Sequence, residues 1–470
     1  MITSLSWIPK GASKAMPYEA QSPSKEDIKE LIHNGTFKKS LSDMDMDDEI
    51  KNCEVAHAKA VAKSFGKPCS ESKDASSSSS TSADPDNVVN FLKELDMDNY
   101  DEEDDEIELF SSGQGDLYYP SNEMDPYLNN TEDKYDSEDL DDMTIRPTDS
   151  LIICATSRDK TNNLEVYVYE DTGNGTHNLY LRNDIIIPEE PLCTAWLDCP
   201  LKGREKGNFV AIGSMETSIE IWDLDLVKEV LPCVRLGRIG GETSQDSHSE
   251  PVIDLAWNKE FRNIVASASA DKKVKVWDVA TGKCKVTMEH HKNKVHAVAW
   301  NHYAPEVLLS GSRDRTVVLK DGRDPSHSGL KWSTKGKVES LAWDPHSEHS
   351  FVASLKDGTV KGFDIRASHL SPNFTLHAHD NEVSSISYNI HAPNLLATGS
   401  EDGSVKIWDL SNNQPSWIAT HMPDAGKVFS VSFSADCPFL LAIGGSEGNL
   451  KVWDTLSDTG VSQRYGSNRP

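Results

Sequence analysis

The sequence lacks the features of a membrane protein, a secreted protein or a disulfide-rich domain. It contains no run of eighteen apolar residues, so we predict no transmembrane helix. Its first residues, MITSLSWIPKG, have neither the basic start nor the apolar core of a signal peptide. None of its eight cysteines forms a C-x-x-C pair, so we expect reduced thiols without a disulfide framework or a zinc site. We therefore expect the protein on the cytosolic or nuclear side of the membrane.

The sequence also lacks the motifs of common enzyme classes. It has no P-loop, no H-E-x-x-H motif and no dinucleotide fingerprint. Outside the repeats described below, it shows no Ser/His/Asp spacing that suggests nucleophilic catalysis. We accordingly predict no enzymatic activity, no cofactor, no metal site and no small-molecule substrate.

Apolar residues are scarce, and the charge is distributed unevenly. Hydrophobic residues make up 37% of the chain, and 76 acidic residues outnumber 47 basic ones, for a net charge of -29. The segment from Glu94 to Asp142 holds twenty acidic residues and one basic residue, Lys134. By contrast, the segment from Lys259 to Lys337 holds sixteen basic residues and eight acidic ones. The molecule therefore combines a strongly anionic segment with a locally cationic one.

A repeated strand pattern occupies the second part of the chain. The motifs SIEIWD, KVKVWD, TVVLKD, TVKGFD, SVKIWD and NLKVWD end in Asp at positions 223, 278, 321, 364, 409 and 454. The last four steps are 43, 43, 45 and 45 residues, which is the period of a four-stranded propeller blade. An alternating strand with a large aromatic end, such as VESLAW (338–343), and an apolar strand, such as NLLATGS (394–400), precede each motif.

This pattern resembles the WD-repeat family over roughly residues 150–470 and the first ten residues. The resemblance implies an all-β, seven-bladed propeller. It also implies a buried structural network, in which a His before the first strand bonds a Ser, the Asp of the following turn and the Trp. The matching sets are His248, Ser269, Asp271 and Trp277; His291, Ser312 and Asp314, with Lys320 in place of Trp; and His379, Ser400, Asp402 and Trp408. Units five and seven lack the His, so we expect packing and strand hydrogen bonds alone to hold them.

The first blade is split in the sequence. ITSLSW, near the start, matches the aromatic-ended strand, but its continuation begins only at Leu151, with LIICATS (151–157) and NLEVYVYED (163–171). We predict that residues 1–9 supply the first strand of blade 1 and that residues 149–470 form the rest of the ring. Closing the ring removes exposed strand edges, so deletion of the first eight residues is expected to destabilise the fold. The alternative is an ordinary frayed terminus.

Residues 10–148 are predicted to form a mostly disordered acidic insertion within blade 1. They contain fourteen basic and thirty-four acidic residues, a composition that cannot bury enough apolar area to offset chain entropy. Short helices are predicted at 22–35, 49–65 and 87–95. Ser42 and Ser137 lie in acidic contexts typical of phosphorylation sites.

Large aromatic residues interrupt this acidic sequence between residues 101 and 128. They form either a linear docking motif or a tether whose aromatics pack onto the chain's own propeller, and the sequence leaves both readings open. The candidate anchors are Phe110, Tyr118, Tyr119 and Tyr127.

A basic rim is predicted on one face of the propeller. The implied His–Asp bonds bring the loop before each first strand and the Asp turn to the same face. Our hypothesis is that this rim binds rRNA phosphates or an acidic assembly partner. The alternatives are that the acidic insertion covers it and gates access, or that it is a solvated surface without a ligand. The basic rim comprises Lys272, Lys273, Lys292, Lys294, Arg313, Arg315, Lys335, Lys337 and Lys356.

Three stretches outside the repeats, SLSWIPKG, LKELDMDNYDEEDD and GDLYYPSNEMDPYL, resemble one subgroup of WD-repeat proteins. That resemblance implies a nuclear, mainly nucleolar scaffold in large-ribosomal-subunit assembly and precursor-rRNA processing. Its partners would be ribosome-assembly proteins and precursor rRNA, with no membrane. The alternative is a chromatin-associated protein that binds histones through its acidic segment, and a ubiquitin-ligase substrate receptor is a weaker third possibility.

Overall fold

The structure is a computed structural model of the 470-residue chain. It describes residues 1–20, 144–158, 161–171, 177–201, 203, 206–239, 242–244, 246–324, 326, 328–367 and 369–466. The predicted short helices, the aromatic docking motif and the two candidate phosphorylation sites all fall outside these residues. The extent and disorder of the acidic insertion therefore remain predictions.

Seven β-sheets form a propeller, as predicted. We letter the strands of each blade a to d from the central channel outward; consecutive letters are hydrogen-bonded neighbours. Blade 1 comprises Ile2–Ile8, Ser150–Arg158, Thr161–Asp171 and His177–Ile187. Blade 2 comprises Pro191–Leu197, Phe209–Ser214, Ile219–Asp223 and Val234–Leu236. Blade 3 comprises Val252–Trp257, Ile264–Ser269, Val274–Asp278 and Lys283–Met288.

The remaining blades follow the same order. Blade 4 comprises Val295–Trp300, Val307–Ser312, Thr316–Asp321 and Leu330–Ser333. Blade 5 comprises Val338–Trp343, Ser350–Leu355, Thr359–Asp364 and Phe374–His377. Blade 6 comprises Val383–Tyr388, Leu395–Ser400, Val405–Asp409 and Ser416–His421. Blade 7 has three strands, Val428–Phe433, Leu440–Gly445 and Lys451–Asp454.

A few short elements lie outside the blades. A parallel pair joins Tyr18–Glu19 to Leu226–Val227, and a small hairpin joins Arg238–Ile239 to Glu242–Thr243. 3-10 helices span Ser411–Asn413 and Thr455–Ser457. An α-helix, Thr459–Tyr465, follows blade 7 and begins at Asp458, whose side chain caps the first backbone N–H groups.

The sequence pattern explains which strands lie deepest. Strand b of each blade is mostly apolar and deeply buried, because neighbouring blades cover both of its faces; Phe209–Ser214 and Leu395–Ser400 are buried at every residue. Strand a mixes buried and half-buried residues; in Pro191–Leu197 every second residue is buried. The aromatic residue at its end then packs against the adjacent blade: Trp343 Nε1 donates to the carbonyl of Ala299 at 3.2 Å.

The amino-terminal strand closes the ring, as predicted. Ile2–Ile8 pairs antiparallel with strand b of blade 1, with Trp7 opposite Ile152. It also contacts strand a of both blade 2 and blade 7. Ile2 is fully buried, and Trp7 Nε1 donates to the carbonyl of Ser432 in blade 7 at 2.8 Å. The frayed-terminus alternative is therefore wrong.

The up-and-down order of the strands gives the propeller two distinct faces. Turns between strands b and c and loops between strands d and a share one face, called here the turn face. The a–b and c–d connections share the opposite face. The described ends of the long a–b connection of blade 1 lie on the opposite face, where Lys10 N donates to Asp436 of blade 7 at 2.8 Å.

Candidate functional site

Asp side chains shape the b–c turns on the turn face. The Oδ1 atom of each Asp accepts the backbone N–H two residues further on: Asp271 from Lys273 at 2.9 Å, and Asp402 from Ser404 at 2.8 Å. Such local bonds favour a tight turn over a longer loop. The side chains next to each Asp are consequently presented at the rim of this face.

A buried hydrogen-bond network supports the turn of blade 3. His248 Nδ1 bonds Asp271 Oδ2 at 2.8 Å, and its Nε2 bonds Ser267 Oγ at 2.7 Å. Trp277 Nε1 donates to the same Ser267 hydroxyl at 2.9 Å. Burial lowers the pKa of His248 although Asp271 acts in the opposite direction, so the imidazole is neutral at physiological pH. Every member of this network has a partner, and its role is structural.

Blade 6 repeats the network with a threonine. His379 bonds Asp402 at 3.0 Å and the Thr398 hydroxyl at 2.8 Å, and Trp408 Nε1 donates to that hydroxyl at 3.0 Å. Burial lowers the pKa of His379 as well. The same arrangement in two blades indicates that the His, Asp and Trp positions were predicted correctly.

Blade 4 replaces the missing Trp by a second histidine. His291 bonds Asp314 at 3.1 Å and Ser310 at 3.0 Å, and the adjacent His290 bonds Ser310 at 2.8 Å. Burial, followed by the charges of neighbouring cationic groups, lowers the pKa of His290 to about 3. His290 was absent from the predicted network, although a second His at the end of this loop was visible in the sequence.

The serine assigned to each network was wrong by two residues. Trp277 pairs with Val265 across the strands, so its indole reaches Ser267 but not Ser269. Ser269 instead donates to the Glu250 carbonyl and accepts the N–H of Asp271. Ser312 and Ser400 have the same turn-capping role in blades 4 and 6.

Backbone hydrogen bonds bring the basic rim together. Arg313 N donates to the carbonyl of Lys294 at 3.0 Å, and Lys356 N donates to the carbonyl of Lys337 at 3.0 Å. Each bond joins a b–c turn to the loop that leads into strand a of the same blade. The nine rim residues thus lie on one face, in blades 3 to 5, although whether this face binds a ligand stays a prediction.

Acidic neighbours neutralise three of the nine rim residues. Lys273 pairs with Glu289 at 2.7 Å, Arg313 pairs with Glu339 at 3.5 Å, and Lys356 pairs with Glu382. The bond to Glu289 raises the pKa of Lys273, and the bond to Glu382 raises that of Lys356. These three cations are therefore partly compensated.

The other six rim side chains are exposed and make no ion pair within the described residues. Their positive charge is therefore available to an anionic ligand. They are Lys272, Lys292, Lys294, Arg315, Lys335 and Lys337.

Three of these six have a left-handed backbone conformation: Lys335, with a φ angle of +64°, in the loop that leads into strand a of blade 5, and two residues in b–c turns. Lys272 and Arg315 follow the Asp of their b–c turns and have φ angles of +72° and +67°. At the same position, blades 5 to 7 have Gly358, Gly403 and Gly448, also with positive φ. This left-handed region is unfavourable for residues with a Cβ. The turns of blades 3 and 4 thus present a long cation at a position where glycine is the better-fitting residue.

An inter-blade ion cluster near the channel was not predicted. Glu339, at the start of strand a of blade 5, accepts from His296 of blade 4 at 3.0 Å and lies 3.5 Å from Arg313. Burial tends to raise the pKa of Glu339, but these two partners outweigh it and lower the pKa. No sequence motif indicates this cluster, because its residues belong to different repeats and meet only in the ring.

The described residues offer little evidence for other kinds of site. No group of His, Cys, Asp or Glu among them could hold a metal ion. No helix in the part of the chain that the structure describes is long and apolar enough to span a membrane.

Comparison with known proteins identifies the repeat. The model for the WD domain, G-beta repeat, matches residues 242–278, 282–321, 370–409 and 416–454. An uncharacterized WD repeat-containing protein of Schizosaccharomyces pombe is 33% identical over 60% of this chain and 56% of its own length.

Two further relatives carry the same name. Periodic tryptophan protein 1 of Saccharomyces cerevisiae is 28% identical over 60% of this chain and 55% of its own length. The periodic tryptophan protein 1 homolog of Drosophila melanogaster is 33% identical over 33% of this chain and 34% of its own length. The chain thus spans little more than half the length of the two yeast relatives and about a third of the fly relative. With its seven blades and four matched WD repeats, the chain is similar to WD-repeat proteins, among them periodic tryptophan protein 1.

Proposed function

We propose that this protein is a non-catalytic scaffold in ribosome biogenesis, acting in large-subunit assembly and precursor-rRNA processing in the nucleus, mainly the nucleolus. The resemblance to periodic tryptophan protein 1 supports the process, and the propeller supports the role of a scaffold. On the turn face, the basic rim binds the phosphates of precursor rRNA. The observation that carries this step is the group of six exposed cations on one face of an acidic protein, none of which forms an ion pair with another described residue.

The backbone of the rim supports a binding role. A left-handed lysine or arginine costs roughly 1 kcal/mol relative to an unstrained residue. Lys272 and Arg315 carry that cost where three sister blades have glycine. Neither side chain forms an ion pair with a described residue that could offset this cost. A ligand that binds these cations from outside the protein accounts for their presence in the turns.

The net charge of -29 affects how RNA binding by this interface is expected to depend on salt. Long-range repulsion between an acidic protein and RNA is screened by salt, whereas local phosphate contacts release counterions. We therefore expect binding that depends on the rim and weakens with salt, with little sequence specificity from the phosphate contacts alone.

Two matched triple variants test the proposal. The first replaces Lys294, Arg315 and Lys337 of the rim by Gln. The second replaces Lys259, Lys283 and Lys331, which are exposed cations away from the turn face, by Gln. Both variants remove the same charge from the same background.

Binding of a precursor-rRNA fragment is measured as a function of salt. The rim variant is expected to reduce the slope of log K against log salt by about 2, because three phosphate contacts contribute roughly 0.7 each. The control variant is expected to keep the wild-type slope. Equal slopes in all three proteins would contradict rRNA binding by the rim, and a loss of pre-ribosome association with unchanged RNA binding would point to an acidic protein partner instead.

The histone-binding alternative is not favoured, since the relatives reported above give it no support. A pull-down with the wild type and the same two variants tests this alternative. Binding of histones rather than ribosomal proteins, dependent on the rim cations, would support it.

A further inference from the structure

Blade 7 lacks a fourth strand in the described part of the chain. Its strand c, Lys451–Asp454, pairs with Leu440–Gly445 on one side and with no described strand on the other. After Asp454 the chain enters the 3-10 helix Thr455–Ser457 and the helix Thr459–Tyr465. A strand edge that is internal in six blades therefore has no partner strand in the seventh among the described residues.

In the six complete blades, strand d places one large side chain at a fixed position. This residue lies opposite the same position of strand c in every blade. In blades 1 to 5 it is at most 8% exposed, and in blade 6 it stacks on Trp453 with ring centroids 4.7 Å apart. The pairs are Leu164–Ile185, Ile219–Leu236, Val274–Met288, Val317–Trp332, Val360–Leu376 and Val405–His421.

The equivalent position of blade 7 is Leu450. It lies four positions before Asp454, as Val405 lies four positions before Asp409 in blade 6. Leu450 packs with Ile2 in the core between blades 7 and 1, but no described strand lies opposite it. In the part of the chain that the structure describes, no strand d supplies the side chain found at this position in the other blades.

Apolar groups border the open edge on both sides. Towards blade 1, Val452, Tyr167 and Leu179 are only partly buried against the core around Leu450. Towards blade 6, His421 covers Trp453, and the next residue, Met422, is 63% exposed. A strand added at this edge would be enclosed by two blades, whereas a strand added outside a complete blade would extend beyond its neighbours.

The geometry points to blade 7 as the docking site for an extended segment of a partner protein. The segment adds as strand d, antiparallel to Lys451–Asp454, and places a large apolar or aromatic side chain opposite Leu450. Main-chain hydrogen bonds hold the segment, and the partly buried apolar groups select that side chain. This site lies away from the basic rim. The proposal is therefore tested independently of rRNA binding.

The test is amide hydrogen exchange of the full-length protein with a defined probe. The probe is a synthetic peptide with the blade 4 sequence GLKWSTK (329–335), which already fits the equivalent position beside Val317. Without the peptide, the Val452 amide is expected to exchange much faster than the amides of Leu440–Gly445, because an unpaired edge is open to water. With about 1 mM peptide, the exchange is expected to slow at least about tenfold.

Three controls separate strand addition from other effects. A peptide N-methylated at alternate residues keeps the side chains but loses the main-chain donors, and it is expected to give no protection. Outer strand Phe374–His377 of blade 5 is expected to exchange at the same rate with and without the peptide. Val452→Pro removes the edge N–H and abolishes protection, whereas Val452→Thr keeps both the N–H and the protection. Unchanged exchange of Leu440–Gly445 verifies that both variants are folded.

Several results would overturn the proposal. One is the absence of protection at about 1 mM peptide, and another is equal protection by the N-methylated peptide. Slow exchange at Val452 without peptide at every protein concentration would mean that the chain's own residues cover the edge. If the Val452 amide exchanges slowly without peptide but exchanges fast after dilution of the protein, a second copy of the chain covers the edge.

Discussion

The indole Nε1 of Trp7 donates a 2.8 Å hydrogen bond to the carbonyl oxygen of Ser432, joining the first and last blades of the propeller. The two residues are 425 positions apart in the sequence. No other strand in the described residues occupies the innermost position of blade 1. The stability of the ring therefore depends on a seven-residue strand at the start of the chain.

Substitutions of Trp7 are expected to destabilise the whole propeller. Trp7→Phe keeps an aromatic ring and loses the hydrogen bond, at a cost of about 1 kcal/mol in the free energy of unfolding. Trp7→Ala also leaves a cavity between blades and is expected to cost about 3 kcal/mol. Urea unfolding of both variants measures these differences. A matched change of the exposed Trp417, Trp417→Ala, is expected to have a small effect, and equal effects at both positions would contradict closure by Trp7.

The sequence predicted the repeat geometry well because each blade repeats the same physical problem. Strand a carries a large aromatic residue at or near its end, so its position was visible in six units of the sequence. The split of blade 1 was also predictable, since ITSLSW has no continuation before Leu151. These features depend on local pattern alone.

Features that depend on contacts between units were not predictable in this way. The choice of Ser267 over Ser269 depends on how far the Trp277 indole reaches along the neighbouring strand. The open edge of blade 7 depends on the chain leaving strand c for a helix that begins at Asp458. The left-handed turns at Lys272 and Arg315 could have been found, because the aligned turns read Asp-Lys and Asp-Arg where blades 5 and 6 read Asp-Gly.

The corrected network gives a direct test within blade 6. Thr398→Val keeps the shape of the side chain but removes the hydroxyl that His379 and Trp408 share, so two buried groups lose a partner. We expect the free energy of unfolding to fall by about 2 kcal/mol. Ser400→Ala removes only one turn-capping bond, so its cost is expected to be below about 1 kcal/mol. Thermal unfolding compares the two, and the reverse order would restore Ser400 as the partner of the histidine.

The propeller is expected to lose stability as pH rises, through Asp254 in strand a of blade 3. Its Oδ2 accepts the N–H of Val298 in blade 4 at 2.8 Å, but burial raises the pKa of Asp254 to about 7. The folded state therefore holds this proton more tightly than the unfolded state, whose pKa is near 3.8. The contribution of Asp254 is most favourable below about pH 4, declines as pH rises towards 7, and stays low above it.

Asp254→Asn isolates this effect. We expect the variant to be more stable than the wild type at pH 8 by about 1–3 kcal/mol, with the difference shrinking towards pH 4. Chemical unfolding across this pH range provides the measurement. Glu260→Gln, an exposed change in the following loop, is the control for altered net charge and is expected to show no such trend. A stability difference that grows as pH falls would be contrary to a raised pKa at Asp254.

Glycine substitutions at the two left-handed turns are expected to separate folding from binding. Lys272→Gly and Arg315→Gly relieve the strained φ angles but increase the entropy of the unfolded chain, so the free energy of unfolding is expected to change by less than about 1 kcal/mol. The double variant also loses two unpaired rim cations. Its RNA-binding slope against log salt is therefore expected to fall by about 1.4. Gly358→Lys in blade 5 is the converse change: a Cβ there meets the carbonyl oxygen of His379 at 2.1 Å, so this substitution is expected to destabilise. If the double glycine variant binds RNA as the wild type does, the strained cations have no role in rRNA recognition.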